Sequence, residues 1–294
     1  MPNTADTFSK KTPRPAIRAY LGGSFDPVHK GHVQMAMIVY QHLLPIAEEE
    51  QRDLHVSLLP NARSPFKTHS TDPAHRLAML KLATQETPIQ INELELWQAP
   101  PVYTIDSVRT LRQRYPNDSL IFIMGMDSAR SLDQWKEGLR LTDSVNLWIF
   151  SRVGMSDMQG GPDETNNGLT ANNVIAQETM ALPDPLKSLI IGDPTELIIS
   201  STQNLTASNH LKNVHQGHIY IDSRSVVAVS STQIREQLQS MGRQADIISH
   251  ADTQITAAMP INAIMSHTIP NPFAKWLNPA VYHYIIAHQL YSGA

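Results

Sequence analysis

The sequence contains no cysteine. Disulfide frameworks, thiolate metal sites and cysteine nucleophiles are therefore excluded. Charge is sparse too, at 17% of the 294 positions, and neither sign dominates: 23 Lys and Arg stand against 27 Asp and Glu, a net charge of −4. Such a balance lacks the basic footprint of a nucleic-acid binder, although it leaves room for one local basic pocket that holds a small anion. No apolar run approaches the roughly 18 residues that suggest a bilayer span. The basic residues Lys10, Lys11, Arg14 and Arg18 are not followed by an apolar segment of the secretory kind. The expectation is a cytoplasmic protein with no membrane and no nucleic-acid partner. Self-association into a homo-oligomer is left open. Aromatic residues make up only 6%, yet 41% of the chain is hydrophobic, enough to bury a sizeable core.

What the sequence does have is alternation. Ile17–Leu21 is a short apolar run ending at Gly22-Gly23, a strand closed by a glycine turn. A largely buried helix follows from Gly31 and is expected to stop at Pro45. Leu54–Leu59 reads as a second strand. Asp72 suits a helix N-cap and Pro73 the first helical position. Ile89–Leu96 reads as extended, Tyr103–Tyr115 as helix, and Leu120–Met124 and Asn146–Phe150 as buried strands. Strands alternating with helices predict an α/β fold with a parallel sheet. Ligands of such sheets bind beyond the carboxyl ends of the strands, where the turns at Gly22-Gly23 and Gly125 lie. Residues 1–16 read as a flexible tail and 17–294 as one domain. Its polar stretches near 154–217 and 242–275 read as insertions, with strand-like runs at 219–221 and 226–229, a helix over 231–240 and a last helix over 279–290.

The segment Gly22-Gly23-Ser24-Phe25-Asp26-Pro27-Val28-His29-Lys30-Gly31-His32 carries the most chemistry. Its glycines allow a sharp turn and a close backbone approach to a ligand. Two histidines three apart sit where a helix begins, and a helix N-terminus offers free N–H groups and a positive dipole end to an anion. Gly31 would leave room for a phosphate against the backbone. A lone His-x-x-His is more often incidental than functional. A metal held by this pair would lack a cysteine or a nearby acidic ligand, so no protein-held metal is expected. The second segment, Val229-Ser230-Ser231-Thr232-Gln233-Ile234-Arg235, also opens a helix. Its hydroxyls suit capping, and the Arg235 guanidinium, one turn on, can reach back to an anion at the helix start. Alone this is a capped helix with a surface arginine. Together, the two helix starts could converge on one polyphosphate.

The first segment resembles the G-x-F-D-P-x-H-x-G-H signature of the nucleotidyltransferase superfamily, and the second its I-S-S-T-x-x-R signature, with Val229 in place of Ile. Further stretches narrow the resemblance to bacterial nicotinate-nucleotide adenylyltransferases: Pro65-Phe66-Lys67, Arg76-Leu77-x-Met79-Leu80, Tyr103-Thr104, Gly125-x-Asp127-Ser128, Trp135, Arg152 and the C-terminal Leu277 to Tyr291. The resemblance covers about 17–153 and 218–291 and implies a Rossmann-like, doubly wound parallel sheet with a helical C-terminal part.

It also implies roles. His29 and His32 would contact the phosphates of ATP, and the backbone of Gly22, Gly23, Ser24 and Phe25 would lie against the nucleotide. Ser231, Thr232 and Arg235 would meet the β- and γ-phosphates, with Lys67 adding charge. Gly125 and Asp127 would face the adenosine or ribose. Tyr103, Thr104 and Trp135 would form the pyridine pocket, with Trp135 stacked on the ring, and Arg152 stands where the family has an arginine. Two positions depart from the family pattern: Phe66 replaces a histidine, and Lys136 stands where an aromatic is common. The implied reaction joins nicotinate mononucleotide and ATP into deamido-NAD and pyrophosphate, with Mg²⁺ carried by ATP. Alternatives are adenylyl transfer to nicotinamide mononucleotide or phosphopantetheine, and a non-catalytic nucleotide sensor. A tRNA synthetase fragment ranks last, because the chain is acidic.

Overall fold

The computed structural model describes residues 14–63, 70–151, 171–198, 217–251 and 272–292. Its centre is a seven-stranded, all-parallel sheet in the order β3-β2-β1-β4-β5-β7-β6. The strands are β1 (Ile17–Gly23), β2 (Leu54–Pro60), β3 (Gln90–Ile91), β4 (Ser119–Gly125), β5 (Asn146–Phe150), β6 (Ile190–Ile191) and β7 (Ile219–Asp222). β5 is buried at every residue, and β4 at every residue but its last. Continuous burial is what a parallel strand covered on both faces requires, and it explains their unbroken apolar runs.

Helices cover both faces. On one side α1 (Lys30–Glu49), α2 (Pro73–Thr84), α7 (Ser231–Ala251) and α8 (Pro279–Ala287) enclose a core that includes Ile17, Ala19, Leu21, Val39, Leu43, Met79, Ile234 and Val281. On the other, α3 (Thr104–Arg114), the one-turn α4 (Met126–Ala129) and the 3₁₀ turns Leu132–Gln134 and Gly138–Asp143 cover Tyr20, Phe122, Met124 and Leu147. α2 begins as its sequence predicts: the Asp72 carboxylate accepts from the Ala74 N–H at 2.7 Å, with Pro73 in the first turn.

The order of connection places the site. From β1 the chain steps outward to β2 and β3, then returns to put β4 on the other flank of β1. Strand order therefore reverses between β1 and β4, and the crevice beyond Gly23 and Gly125 is the topological switch point.

Several local expectations need correction. α1 runs through Pro45 to Glu49. Pro45 and Gln41, whose carbonyl loses its helical partner, are both exposed, so water can satisfy that carbonyl while buried Leu43 and Ala47 hold the helix to the sheet. The extended stretch over 89–96 shrinks to Gln90–Ile91. Beyond it the Asn92 side chain accepts from the Leu94 N–H at 3.0 Å and turns the chain. The last helix ends at Ala287, and Gln289 and Tyr291 take left-handed φ values of 50° and 63°. Residues 226–229 form no strand, and α7 continues to Ala251, into the second expected insertion.

The first expected insertion is partly regular. It contains α5 (Ala171–Met180), the short α6 (Asp184–Lys187) and the edge strand β6. Glu178 of α5 is 1% exposed and takes hydrogen bonds from Arg130 at 2.5 Å and from Ser151 at 3.0 Å. Of the expected tail, Arg14–Ala16 are described, and the Ala16 N–H donates to Asp118 at 3.0 Å.

Candidate active site

The β1 turn is held in an unusual shape. Phe25 has φ 50° yet buries its ring in the core, 1% exposed. A left-handed phenylalanine is strained and persists only where its surroundings over-determine it. The same ring packs edge-on against His32, with centroids 4.9 Å apart. At Gly22 an added Cβ would lie 2.3 Å from the Phe122 ring, so the β1–β4 contact itself requires glycine there.

His29 occupies the N-cap of α1 and His32 its third position. The two rings stack with centroids 3.6 Å apart at 25°. The His29 backbone N–H donates to His32 Nδ1 at 3.3 Å. An accepting Nδ1 puts the proton of the neutral ring on Nε2. Gly31 makes room for another part of the protein itself. A Cβ there would stand 2.8 Å from the Val227 carbonyl and 3.1 Å from His29 Nδ1. The glycine admits the protein's own loop before α7, which Gln34 anchors by accepting from the Val227 N–H at 2.8 Å.

That loop delivers the second helix start. Ser230 and Gln233 form a reciprocal capping box: Gln233 Oε1 accepts from the Ser230 N–H at 2.8 Å, and Ser230 Oγ accepts from the Gln233 N–H at 3.1 Å. Ser231 Oγ donates to the Pro27 carbonyl at 2.9 Å. Arg235 Nη1 donates to the Asp26 carbonyl at 2.6 Å, and its Nη2 to Thr232 Oγ1 at 3.1 Å. Two helix N-termini, two imidazoles, two hydroxyls and a guanidinium thus meet at one end of the sheet.

Across the switch point Gly125 ends β4 and is the N-cap of α4, and Asp127 lies in the first turn of α4. A Cβ at Gly125 would meet nothing within 4 Å, so the space beside it is open to a ligand. Tyr103 is the N-cap of α3 and Thr104 its first residue, at the same end of the sheet. Trp135, half-buried, packs on the same core face as Tyr103. The Lys136 ammonium sits 4.5 Å from the centroid of the Tyr103 ring, bringing the two segments together. Lys67 and Arg152 lie outside the described residues, as does Phe66.

Sequence reasoning gave Arg76 and Asp26 no role beyond their place in the matching stretches. Arg76 is fully buried and donates to four backbone carbonyls: Thr71 at 3.0 Å, Ser24 at 2.8 Å, Asn61 at 2.7 Å and Ala62 at 2.5 Å. It gathers the ends of β1 and β2 with the start of α2, and burial lowers its pKa. The signal was its register: Arg76, Met79, Leu80 and Ala83 share one helical stripe, and an arginine on an apolar stripe needs a buried partner. The Asp26 carboxylate takes the Tyr291 hydroxyl at 2.6 Å and the Thr71 N–H at 3.1 Å. Burial, then the neighbouring Asp26 charge, pushes the Tyr291 phenol pKa up. No local pattern could pair residues so far apart in sequence.

Comparison with known proteins agrees with this architecture. The cytidylyltransferase-like family matches residues 20–237. A protein of Idiomarina loihiensis named probable nicotinate-nucleotide adenylyltransferase is 30% identical over 236 residues, 80% of this chain and 94% of its own length. The Bacillus subtilis nicotinate-nucleotide adenylyltransferase is 39% identical over 136 residues, 45% of this chain and 66% of its own length. In fold, the chain is similar to the Plasmodium falciparum nicotinic acid mononucleotide adenylyltransferase solved with APC, at TM-score 0.53 and 15% identity, covering 94% of this chain and 97% of that one. The extent of these matches, on a switch-point crevice flanked by two helix starts, shows that the chain belongs to the nicotinate-nucleotide adenylyltransferase family within the cytidylyltransferase-like proteins.

Proposed function

We propose that this chain is a nucleotidyltransferase that moves the adenylyl group of ATP onto nicotinate mononucleotide, giving deamido-NAD and pyrophosphate in NAD biosynthesis. The observation that carries the reading is the pair of helix N-termini tied together by Arg235 and Asp26 beside the stacked histidines. The names of the full-length relatives support the choice of acceptor.

The chemistry follows from charge. A 5′-phosphate oxygen of the mononucleotide attacks the α-phosphorus of ATP. A new P–O bond forms there, the bond to the bridging oxygen breaks, and pyrophosphate leaves with that electron pair. The attacking phosphate is already ionised near neutral pH, so no general base is needed. Positioning and stabilisation of charge on the transferring and leaving groups are the whole task. In this reading His32, through Nε2–H, and His29 donate to the α- and β-phosphates. The start of α7, with Ser231, Thr232 and Arg235, receives the leaving pyrophosphate, and Lys67 adds charge. The backbone of Gly22–Phe25 and Gly31 borders the nucleotide, with Gly125 and Asp127 on its adenosine or ribose side. Tyr103, Thr104 and Trp135 receive the pyridine, and Arg152 serves the acceptor.

In this reading Mg²⁺ would arrive on the phosphate oxygens of ATP, where it would neutralise phosphate charge. No described helix is long and apolar enough to cross a membrane, and a cytoplasmic location goes with the reading.

The test is pyrophosphate release by the purified protein with Mg-ATP and each of three acceptors: nicotinate mononucleotide, nicotinamide mononucleotide and phosphopantetheine. Preference for nicotinate mononucleotide is expected. Binding of ATP with no release from any acceptor would overturn the reading in favour of a nucleotide sensor.

A further inference from the structure

We propose that Lys136 is the residue that selects the acid form of the pyridine mononucleotide, its ammonium meeting the ring carboxylate. The inference rests on the reading of Tyr103 and Trp135 as the pyridine pocket and adds to it the group that reads the substituent.

The backbone fixes where this lysine can be. Trp135 is extended (φ −83°, ψ 149°) after the 3₁₀ turn, and Glu137 is left-handed (φ 48°, ψ 33°). Gly138 then admits no side chain, because a Cβ would lie 2.1 Å from the Leu132 carbonyl. Lys136 is thus held in a tight corner directly after Trp135. From there its ammonium stands 4.5 Å from the centroid of the Tyr103 ring and 2.9 Å from Asp106 Oδ2. A cation on the residue after Trp135 thus lies over the Tyr103 ring.

Its charged neighbours are otherwise paired among themselves. Glu137 accepts from Arg109 on both oxygens, at 3.1 and 2.7 Å, and from Arg140 at 2.9 Å. Arg140 also meets Asp143 at 3.0 Å. The Lys136 ammonium, paired with Asp106, lies over the Tyr103 ring. Both side chains are about half exposed, at 44% and 52%. An ion pair in that setting is weak, so the ammonium can turn from Asp106 to an incoming carboxylate at little cost.

The physical need is clear. The acid and amide mononucleotides have nearly the same shape and differ by one charge on the ring substituent. Shape alone discriminates poorly between isosteres, whereas a site built to engage a polar group does so well. Asp106, on the first turn of α3, opposes the acid by holding the ammonium and by its own charge. The two residues should therefore act in opposite directions.

The experiment measures kcat/KM for nicotinate and nicotinamide mononucleotides in wild type, Lys136→Met and Asp106→Asn, with equilibrium binding of each mononucleotide by calorimetry where turnover is slow. Lys136→Met should lower the acid-to-amide ratio about five- to ten-fold, the effect of one half-exposed charge pair, through KM for the acid. Asp106→Asn should raise the ratio. Unchanged thermal unfolding and retained ATP binding identify folded variants. If wild type prefers the acid and Lys136→Met keeps the whole preference, the assignment of Lys136 is wrong while the adenylyl-transfer reading stands. If wild type releases no pyrophosphate with either mononucleotide, that reading fails and this inference falls with it.

Discussion

Arg235 Nη1 donates to the backbone carbonyl of Asp26 at 2.6 Å, although the two residues are 209 positions apart. The bond joins the start of α7 to the turn that leads into α1. It sets the distance between the two helix N-termini before any nucleotide arrives. Arg235→Ala should lower kcat about 100-fold, the usual cost of losing one charge-stabilising donor. Arg235→Lys should recover little, because an ammonium cannot span two acceptors as the guanidinium fork does. Steady-state kinetics on both variants, with circular dichroism to verify folding, makes the comparison. Full activity in Arg235→Lys would argue that only charge matters there.

His32 offers a second test. Its Nδ1 accepts from the His29 N–H, which puts the proton of the neutral ring on Nε2, the donor of the proposed mechanism. His32→Ala should reduce kcat by about 10²–10³ with a smaller effect on KM for ATP. His32→Gln, which can place an amide N–H at a similar reach, should retain more activity than alanine. Equal losses in the two variants would remove the case for donation from Nε2.

Gly31→Ala should damage activity more than stability. The added Cβ would press on the Val227 carbonyl and the His29 ring, displacing the second helix start from the first. Turnover should fall at least about 10-fold, since small misplacements of catalytic groups are costly. A parallel measurement of Tm should show only a small change. Loss of Tm as large as the loss of activity would make the glycine a folding requirement alone.

Arg76→Met keeps the apolar stem and removes the guanidinium that satisfies four buried carbonyls. Orphaned buried acceptors cost about 1–3 kcal/mol each before relaxation. A net loss of about 3 kcal/mol corresponds to a fall in Tm of about 6–12 °C for a chain of this size. Thermal unfolding followed by circular dichroism would measure it, and a fall below about 2 °C would mean that water replaces the guanidinium.

Stability should also depend on His42. Its ring lies edge-on to Trp148 at 5.5 Å, and its Nε2 is buried with no hydrogen-bond partner among the described residues. Burial, then the charge of Arg224, lowers its pKa below 6.5, against the opposite pull of Asp222 and Asp193. The unfolded chain therefore binds a proton that the folded chain refuses. That contribution to stability is present above pH 6.5 and is lost as pH falls from there towards the folded-state value. Wild type should lose more Tm between pH 7.5 and pH 5.5 than His42→Phe, whose ring cannot titrate. Equal losses would exclude His42 as the group responsible.

The sequence by itself determined the class of fold and the two helix starts of the candidate site. Unbroken apolar runs at 120–124 and 146–150 fix the central parallel strands, because only burial on both faces tolerates them. Asp72-Pro73 marks the start of α2 through local hydrogen bonding and a fixed φ. The glycine turn with its two histidines and the Ser-Ser-Thr helix start were legible for the same reason: caps and turns are short-range devices. Tertiary structure alone decided the rest. Pro45 stays helical because burial of Leu43 and Ala47 outweighs one exposed carbonyl. Gly31 makes room for Val227, Arg76 gathers three elements and Tyr291 reaches Asp26 across 265 positions. Each of these depends on which distant backbone arrives at a given point, and that is set by sheet order and packing rather than by any local propensity.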